Sequence, residues 1–235
     1  MSSAVNHISG TSSSKIALTT HNQYHSPRLV PPLPASPIAL FKTWFSEALT
    51  PPPDSEIPAV KEPEAMTIST STAAGIPSSR MVLLKTVDDR GFIFFTNYES
   101  RKSQELKQNP YAALTFYWRE VSRSVRVVGR VEKVERAESE EYFGTRPKGS
   151  QIGAWASEQS TVVGEETLQN RVDELSEKFK DGNVECPEHW GGWRIVPFEV
   201  EFWCGQPSRL HDRFRYTAPQ DQGEGGVWEV NRLAP

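Results

Sequence analysis

Apolar and polar positions change their period several times along the chain, and those changes divide it into elements. Ala65–Ser71 alternates strictly, as a half-buried strand does, and Arg80–Thr86 and Phe92–Thr96 are apolar runs of strand length. Gly75 and Pro77 mark a turn between the first two. Asp88-Asp89-Arg90-Gly91 returns the chain from the second into the third, so those two are predicted to form a hairpin. Ser100–Gln108 is a short helix stopped by Asn109-Pro110. Tyr111–Trp118 and Ser124–Val134 predict another hairpin. Ala137–Thr145 and Gln151–Ser157 are helices parted by Pro147 and Gly149, and Glu165–Lys180 is a longer amphipathic helix. Trp193–Trp203, Arg209–Tyr216 and Val227–Asn231 return to strand.

The chain before residue 62 has a different texture. Ten of the eighteen prolines lie within the first 63 residues, and residues 1–36 read as a disordered or loosely packed arm. Within 37–61, a docking helix and a Pro-rich linker are predicted. Ser36 stands at the N-cap, Pro37 at the first helical position, and Leu40, Phe41, Trp44 and Phe45 share one face. Residues 62–235 form one domain, mainly β with flanking helices. Many strands joined by tight turns point to a closed or split barrel rather than a doubly wound parallel sheet.

Composition narrows the function. With 26 Lys+Arg, 30 Asp+Glu and a net charge of −4, binding to bulk nucleic acid is disfavoured. The stretch Arg123–Arg130 alternates charge with valine and reads as an ordinary strand. No apolar run approaches the roughly 20 residues of a membrane span. Two distant cysteines, Cys186 and Cys204, exclude a disulfide framework and a structural zinc site, and no metal site is expected. The first residues lack a secretory apolar core. The expectation is a cytoplasmic protein, with organelle targeting by the Ser/Thr-rich start as the alternative. There is no G-x-G-x-x-G and no P-loop motif.

Four local patterns read as anion sites. Ser100-Arg101-Lys102 places two cations in a first helical turn, where the helix dipole disfavours them unless an anion binds there. Arg80 and Lys85, five apart on an unbulged strand, face opposite sides and so should not serve one phosphate together; Arg80 could join the Ser100 helix start while Lys85 faces a different ligand. Tyr142, Arg146 and Ser150 combine a phenol, a guanidinium and a helix start capped by Ser150. Arg209, His211 and Arg213 fall on one strand face, with Asp212 behind them as a structural partner. Trp155, Trp190, Trp193 and Trp203 are core candidates able to flank an aromatic ring.

Taken in order, SRMVLLK, FFTNYESRKSQEL, NPYAALTFYW, YFGTRPKGSQIGAWASEQS, WGGWR, EFWCGQPSRLHDRF and RLAP resemble the pyridoxamine 5′-phosphate oxidase family over about Glu62 to Pro235. The resemblance implies an FMN-binding split β-barrel homodimer with FMN between the subunits. It implies that Arg80, Arg101 and Lys102 bind FMN, chiefly at its phosphate and ribityl end. Met81, Val82, Leu83 and Leu84 would lie along the flavin, with Phe95 and Thr96 nearby. Gln159 and Ser160 would reach in from the other subunit, and Trp203 and Arg213 would contact the flavin. Lys85, Tyr142, Arg146 and Ser150 would hold the substrate phosphate, and Arg209 and His211 would act at the pyridine ring.

The implied reaction is oxidation of pyridoxamine or pyridoxine 5′-phosphate to pyridoxal 5′-phosphate, by hydride transfer from C4′ to the flavin, with O2 reduced to H2O2. Two departures stand out. Ser124 occupies a cofactor-contact position where the family usually has Gln, and His21-Asn22-Gln23-Tyr24 matches the family's R-x-x-Y segment poorly. Ser124 favours an alternative reading, a non-catalytic FMN or pyridoxal phosphate carrier or sensor. A related flavin oxidase acting on another reduced aromatic ring is the third.

Overall fold

The computed structural model describes residues 23–50, 58–218 and 226–235. The loop around Gln220–Gly226 and most of the predicted N-terminal arm therefore lie outside the described residues. Among the described residues nine strands form one sheet: β1 Ala65–Ser71, β2 Pro77–Leu83, β3 Thr86–Val87, β4 Phe92–Asn97, β5 Tyr111–Trp118, β6 Arg123–Lys133, β7 Trp190–Cys204, β8 Asp212–Thr217 and β9 Glu229–Leu233. Five α-helices among the described residues accompany it: α1 Pro37–Leu49, α2 Arg101–Gln108, α3 Arg136–Thr145, α4 Lys148–Ala156 and α5 Glu165–Lys178. The chain is mainly β with flanking helices, as expected. Among the described residues no helix is long and apolar enough to cross a membrane.

The strand order β2-β1-β5-β6-β7-β4-β3 is antiparallel at every pairing. Strand β7 divides the barrel. One of its edges pairs with β6 along nearly its whole length, while the other pairs with β4 through Trp190–Ile195 and with β8 through Glu199–Cys204. The change of partner falls at Pro197, which has no N–H to give to a ladder. The β6–β7 register shifts there, between Val128 and Gly129. A Cβ on Gly129 would lie 2.4 Å from the carbonyl oxygen of Val196, so only glycine admits this approach.

Burial alternates along β1 and β5 as the sequence period requires. The inward residues Met66, Ile68, Leu114, Phe116, Val125, Val127 and Phe202 make the core, and α1 closes one end of it. Phe41 meets Phe92 edge-on at 4.8 Å, and Trp44 meets Phe202 at 5.1 Å. Ser36 and Pro37 begin α1 as read from the sequence, although the Ser36 side chain makes no capping bond.

Three sequence expectations fail here. Strand β2 pairs with β1, not with β4, because the run breaks at Leu84-Lys85, and only the two-residue β3 completes the hairpin with β4. Strand β8 starts at Asp212 rather than Arg209. Pro207–Arg209 is a single 3-10 turn in which Ser208 and Arg209 have φ of 55° and 63°, so Arg209, His211 and Arg213 do not share a strand face. Residues 23–36 are docked rather than loose. Ser26 N–H donates to the Gly205 carbonyl, Tyr216 OH donates to the Pro34 carbonyl, and Arg28 pairs with Asp212.

Candidate functional site

A cavity of about 880 Å³ opens beside β2, β4, α2, α3 and α4. Strand β2 pairs only with β1, so its outer edge is free to line the cavity. Met81, Val82 and Leu83 do so, while Leu84 turns into the core, contrary to expectation. Arg80 and Lys85 both reach this cavity as well. Lys85 is not held to the opposite strand face, because it lies past the end of β2 at Leu83.

The cations divide the cavity wall between two elements. Arg80 Nη1 donates to Thr70 Oγ1 at 2.6 Å, and Arg80 Nη2 donates to Ser78 Oγ. Lys102 Nζ donates to Thr96 Oγ1 at 2.7 Å, Gln159 Oε1 at 2.7 Å and Ser100 Oγ at 3.1 Å. It forms no ion pair among the described residues. Burial, and then the nearby Arg80 charge, lower the Lys102 ammonium to about 8. Ser100 precedes α2 at the cap position, but its hydroxyl donates to the Asn97 carbonyl and caps nothing. In the first turn of α2, Arg101 N–H instead donates to Ser160 Oγ at 3.3 Å. Gln159 and Ser160 thus stand beside Lys102 and Arg101 of the same chain, not reached from another subunit.

Behind this wall lies Glu105, which the sequence reading passed over. Its Oε2 accepts from Ser78 Oγ at 2.6 Å and from Thr70 Oγ1, and its Oε1 accepts from Arg101 Nε at 2.9 Å. Burial opposes its ionisation, but the Ser78, Thr70 and Arg101 donors and the Arg80 charge prevail and hold the carboxyl at about 2. The signal available in the sequence was the i,i+4 spacing of Arg101 and Glu105.

Four further predicted residues, Lys85, Tyr142, Arg146 and Ser150, line the same cavity. Tyr142 stacks on Phe95 at 4.2 Å, and Phe95 stacks on Trp190 at 5.4 Å. The Arg146 guanidinium lies over the Trp190 ring at 4.8 Å. Burial lowers its proton affinity, opposed by Tyr142 and Cys186, and its buried Nη1 has no hydrogen-bond partner among the described residues. Ser150 does not cap α4: Pro147 occupies the cap position and Ser150 lies inside the helix, its N–H bonded to the Pro147 carbonyl.

A second cavity of about 510 Å³ lies on the outer face of β5, β6, β7 and β8. Ser124, Trp203, His211 and Arg213 line it, together with Tyr24, Tyr117, Arg126 and Glu201. His211 Nδ1 accepts from Gln206 N–H at 3.0 Å, which fixes the Nε2–H tautomer. Burial and Arg209 lower its pKa, so the ring is neutral at pH 7. Arg213 Nε donates to Glu201 Oε1 at 2.7 Å. Ser124 Oγ donates to the Phe116 carbonyl at 2.9 Å and so turns back onto β5. Tyr24 packs edge-on against Trp203 at 5.4 Å and His211 at 5.7 Å, although its segment matched no motif. Arg209 is exposed and lines neither cavity. Among the described residues no cluster of His, Cys, Asp or Glu is arranged to hold a metal.

The family model described as pyridoxamine 5′-phosphate oxidase matches residues 55–175, and that of the pyridoxine 5′-phosphate oxidase C-terminal dimerisation region matches residues 190–235. Pyridoxine/pyridoxamine 5′-phosphate oxidase of Trichormus variabilis is 50% identical over 201 residues, covering 85% of this chain and 89% of that protein. The protein of the same name from Burkholderia thailandensis is 52% identical, with the same coverage. Among solved structures, PhzG of Burkholderia lata 383, in complex with tetrahydrophenazine-1-carboxylic acid, is 31% identical at a TM-score of 0.78, covering 89% of this chain and 99% of that one. An FMN-binding protein of Nostoc punctiforme shares the fold at a TM-score of 0.64 and 12% identity, over 83% of this chain and 97% of that one.

Proposed function

Because this chain belongs to the pyridoxamine 5′-phosphate oxidase family, we propose that it oxidises pyridoxamine and pyridoxine 5′-phosphate to pyridoxal 5′-phosphate, reducing O2 to H2O2. The chain is an oxidoreductase that uses FMN. Its residues fit that cofactor: a buried lysine whose acceptors among the described residues are all neutral, the Arg80 and Arg101 guanidinium groups and the first turn of α2 face one cavity. Arg80, Arg101, Lys102, Gln159 and Ser160 would hold the FMN phosphate. The edge of β2, with Phe95 and Thr96, would line the flavin. When bound, FMN supplies the two-electron acceptor for the hydride that leaves C4′.

The observation that carries the substrate assignment is Arg146, whose buried Nη1 has no hydrogen-bond partner among the described residues, in a cavity it shares with Lys85, Tyr142 and Ser150. These four suit a second phosphate, from the substrate. Charge-assisted bonds of roughly 1.5–3 kcal/mol each would orient the substrate and fix the distance of its reacting carbon.

Ser124, Trp203, His211 and Arg213 line a different cavity from Arg80 and Arg146. A homodimer reconciles the two sets, the second cavity of one protomer closing over the first cavity of its partner. The family model over 190–235, a dimerisation region, spans Glu201, Trp203, His211 and Arg213 and supports this arrangement. So do Met81, Leu83 and Tyr117, apolar or aromatic side chains left 62%, 41% and 53% exposed. His211 would then present its Nε2–H as a donor to the substrate ring. Arg209, on its strained turn, would meet the pyridine with its exposed guanidinium.

The test is turnover. Protein purified with FMN and given pyridoxamine 5′-phosphate should form aldehyde, ammonia and H2O2 in step with O2 consumption. FMN-loaded protein that forms no aldehyde from either phosphorylated substrate overturns the proposal. The similarity to PhzG favours a second reading, an oxidase of reduced polycyclic aromatic acids. Flavin reduction by such a compound, and not by pyridoxamine 5′-phosphate, would select it. Stable FMN binding with reduction by neither selects the carrier.

A further inference from the structure

We propose that Glu105, a residue outside the cavity lining, is the positioning residue that makes this cavity select a phosphomonoester over its unphosphorylated counterpart. The inference rests on the FMN reading of the cavity and names what enforces it.

A carboxylate only accepts, and a hydroxyl has one proton to give. Thr70 and Ser78 both give theirs to Glu105 Oε2, so both turn lone pairs toward Arg80, whose Nη1 and Nη2 donate to them. Oε1 takes Arg101 Nε directly. One buried carboxylate, 4% exposed, therefore orients two guanidinium groups, one from β2 and one from α2. Charge points the same way. Arg80, Arg101 and Lys102 set three cations around one end of the cavity, and Glu105 leaves two of them uncompensated. A phosphomonoester carries about −1.5 to −2 at pH 7, which matches. A neutral hydroxyl in its place would leave both charges facing nothing.

Glutamine cannot replace this arrangement. If its oxygen faces Thr70 and Ser78, its amide N–H meets Arg101 Nε, donor against donor, and Arg101 is released. If the amide is flipped, the two hydroxyl protons lose their acceptor. Either way the hold on one of the two guanidinium groups is weakened; alanine takes the acceptor from Arg101 and leaves the Thr70 and Ser78 hydroxyls free to turn away from Arg80.

The test compares FMN with riboflavin, binding each to flavin-stripped full-length protein and following flavin fluorescence. E105A should weaken FMN binding at least tenfold and leave riboflavin binding within about twofold. E105Q should fall between E105A and the unaltered chain. In the E105Q background, R101A should cost less than it does in the unaltered chain. Circular dichroism and a thermal melt establish that each variant is folded. A folded E105A that binds FMN as the unaltered chain does overturns the inference, as does an equal loss for riboflavin, which would mark Glu105 as merely structural. If the unaltered chain itself fails to prefer FMN over riboflavin, the FMN reading of the cavity fails instead.

Discussion

The Nδ1 atom of His211 accepts the backbone N–H of Gln206 at 3.0 Å, and this single bond decides which nitrogen of the imidazole carries the proton. The ring faces its cavity as a neutral donor. Protonation would set N–H against N–H and break the bond.

The pH dependence of stability follows. The folded-state pKa of His211 lies below its ordinary value, because burial and Arg209 both disfavour the cation. The contribution is therefore full above the unfolded pKa of about 6.5 and is lost as the pH falls below it. His211→Asn, which keeps an acceptor near Gln206 but does not titrate, should lose less Tm than the unaltered protein between pH 7 and pH 5. Parallel Tm profiles for the two proteins would contradict this.

Lys102 gives the opposite window for cofactor affinity. Its ammonium titrates at about 8 in the empty cavity, and a bound phosphate would raise that value. Above pH 8, FMN binding must take up a proton, so the dissociation constant should climb toward tenfold per pH unit. Lys102→Met should weaken FMN binding roughly 10- to 100-fold at pH 7 and flatten this climb. Fluorescence titration from pH 7 to 9.5 measures both effects.

Arg146→Ala should separate substrate binding from cofactor binding. With its guanidinium gone, KM for pyridoxamine 5′-phosphate should rise roughly 10- to 100-fold, while FMN content stays as it was. Co-purified flavin and steady-state kinetics together check this. Loss of flavin in proportion to activity would mean that Arg146 serves the cofactor.

Gly129→Ala tests the barrel's division. The added methyl would meet the Val196 carbonyl at 2.4 Å, and backbone, not a flexible side chain, has to move. A loss of about 2–4 kcal/mol in urea unfolding is expected. A variant as stable as the unaltered chain would show that β6 and β7 separate easily at Pro197.

Much of this was legible in the sequence, for identifiable reasons. AMTISTS and YAALTFYW alternate without interruption, and β1 and β5 begin and end where the period does. Arg80, Lys102, Tyr142 and Arg146 meet in one cavity because each sits at a helix start, a strand edge or a helix corner that turn residues mark. The period-two rule failed at Arg209 because it presumes an extended backbone. Two successive left-handed residues, Ser208 and Arg209, break it without a Gly or Asn to announce them. Glu105 was invisible for another reason. Its partners Thr70 and Ser78 lie 35 and 27 residues away, and only the pairing of β1 with β2 and the seating of α2 bring them together.

The fully buried Asp212 has a consequence for handling the chain's two ends. Arg28, before the first helix, and Arg232, in the last strand, both pair with Asp212 Oδ1. Trimming the chain past either arginine leaves an aspartate inside the protein with one of these two countercharges, and trimming both removes every ion-pair partner it has among the described residues. The two truncations act on one carboxylate, so their penalties will not add: the second cut should hurt far more than the first.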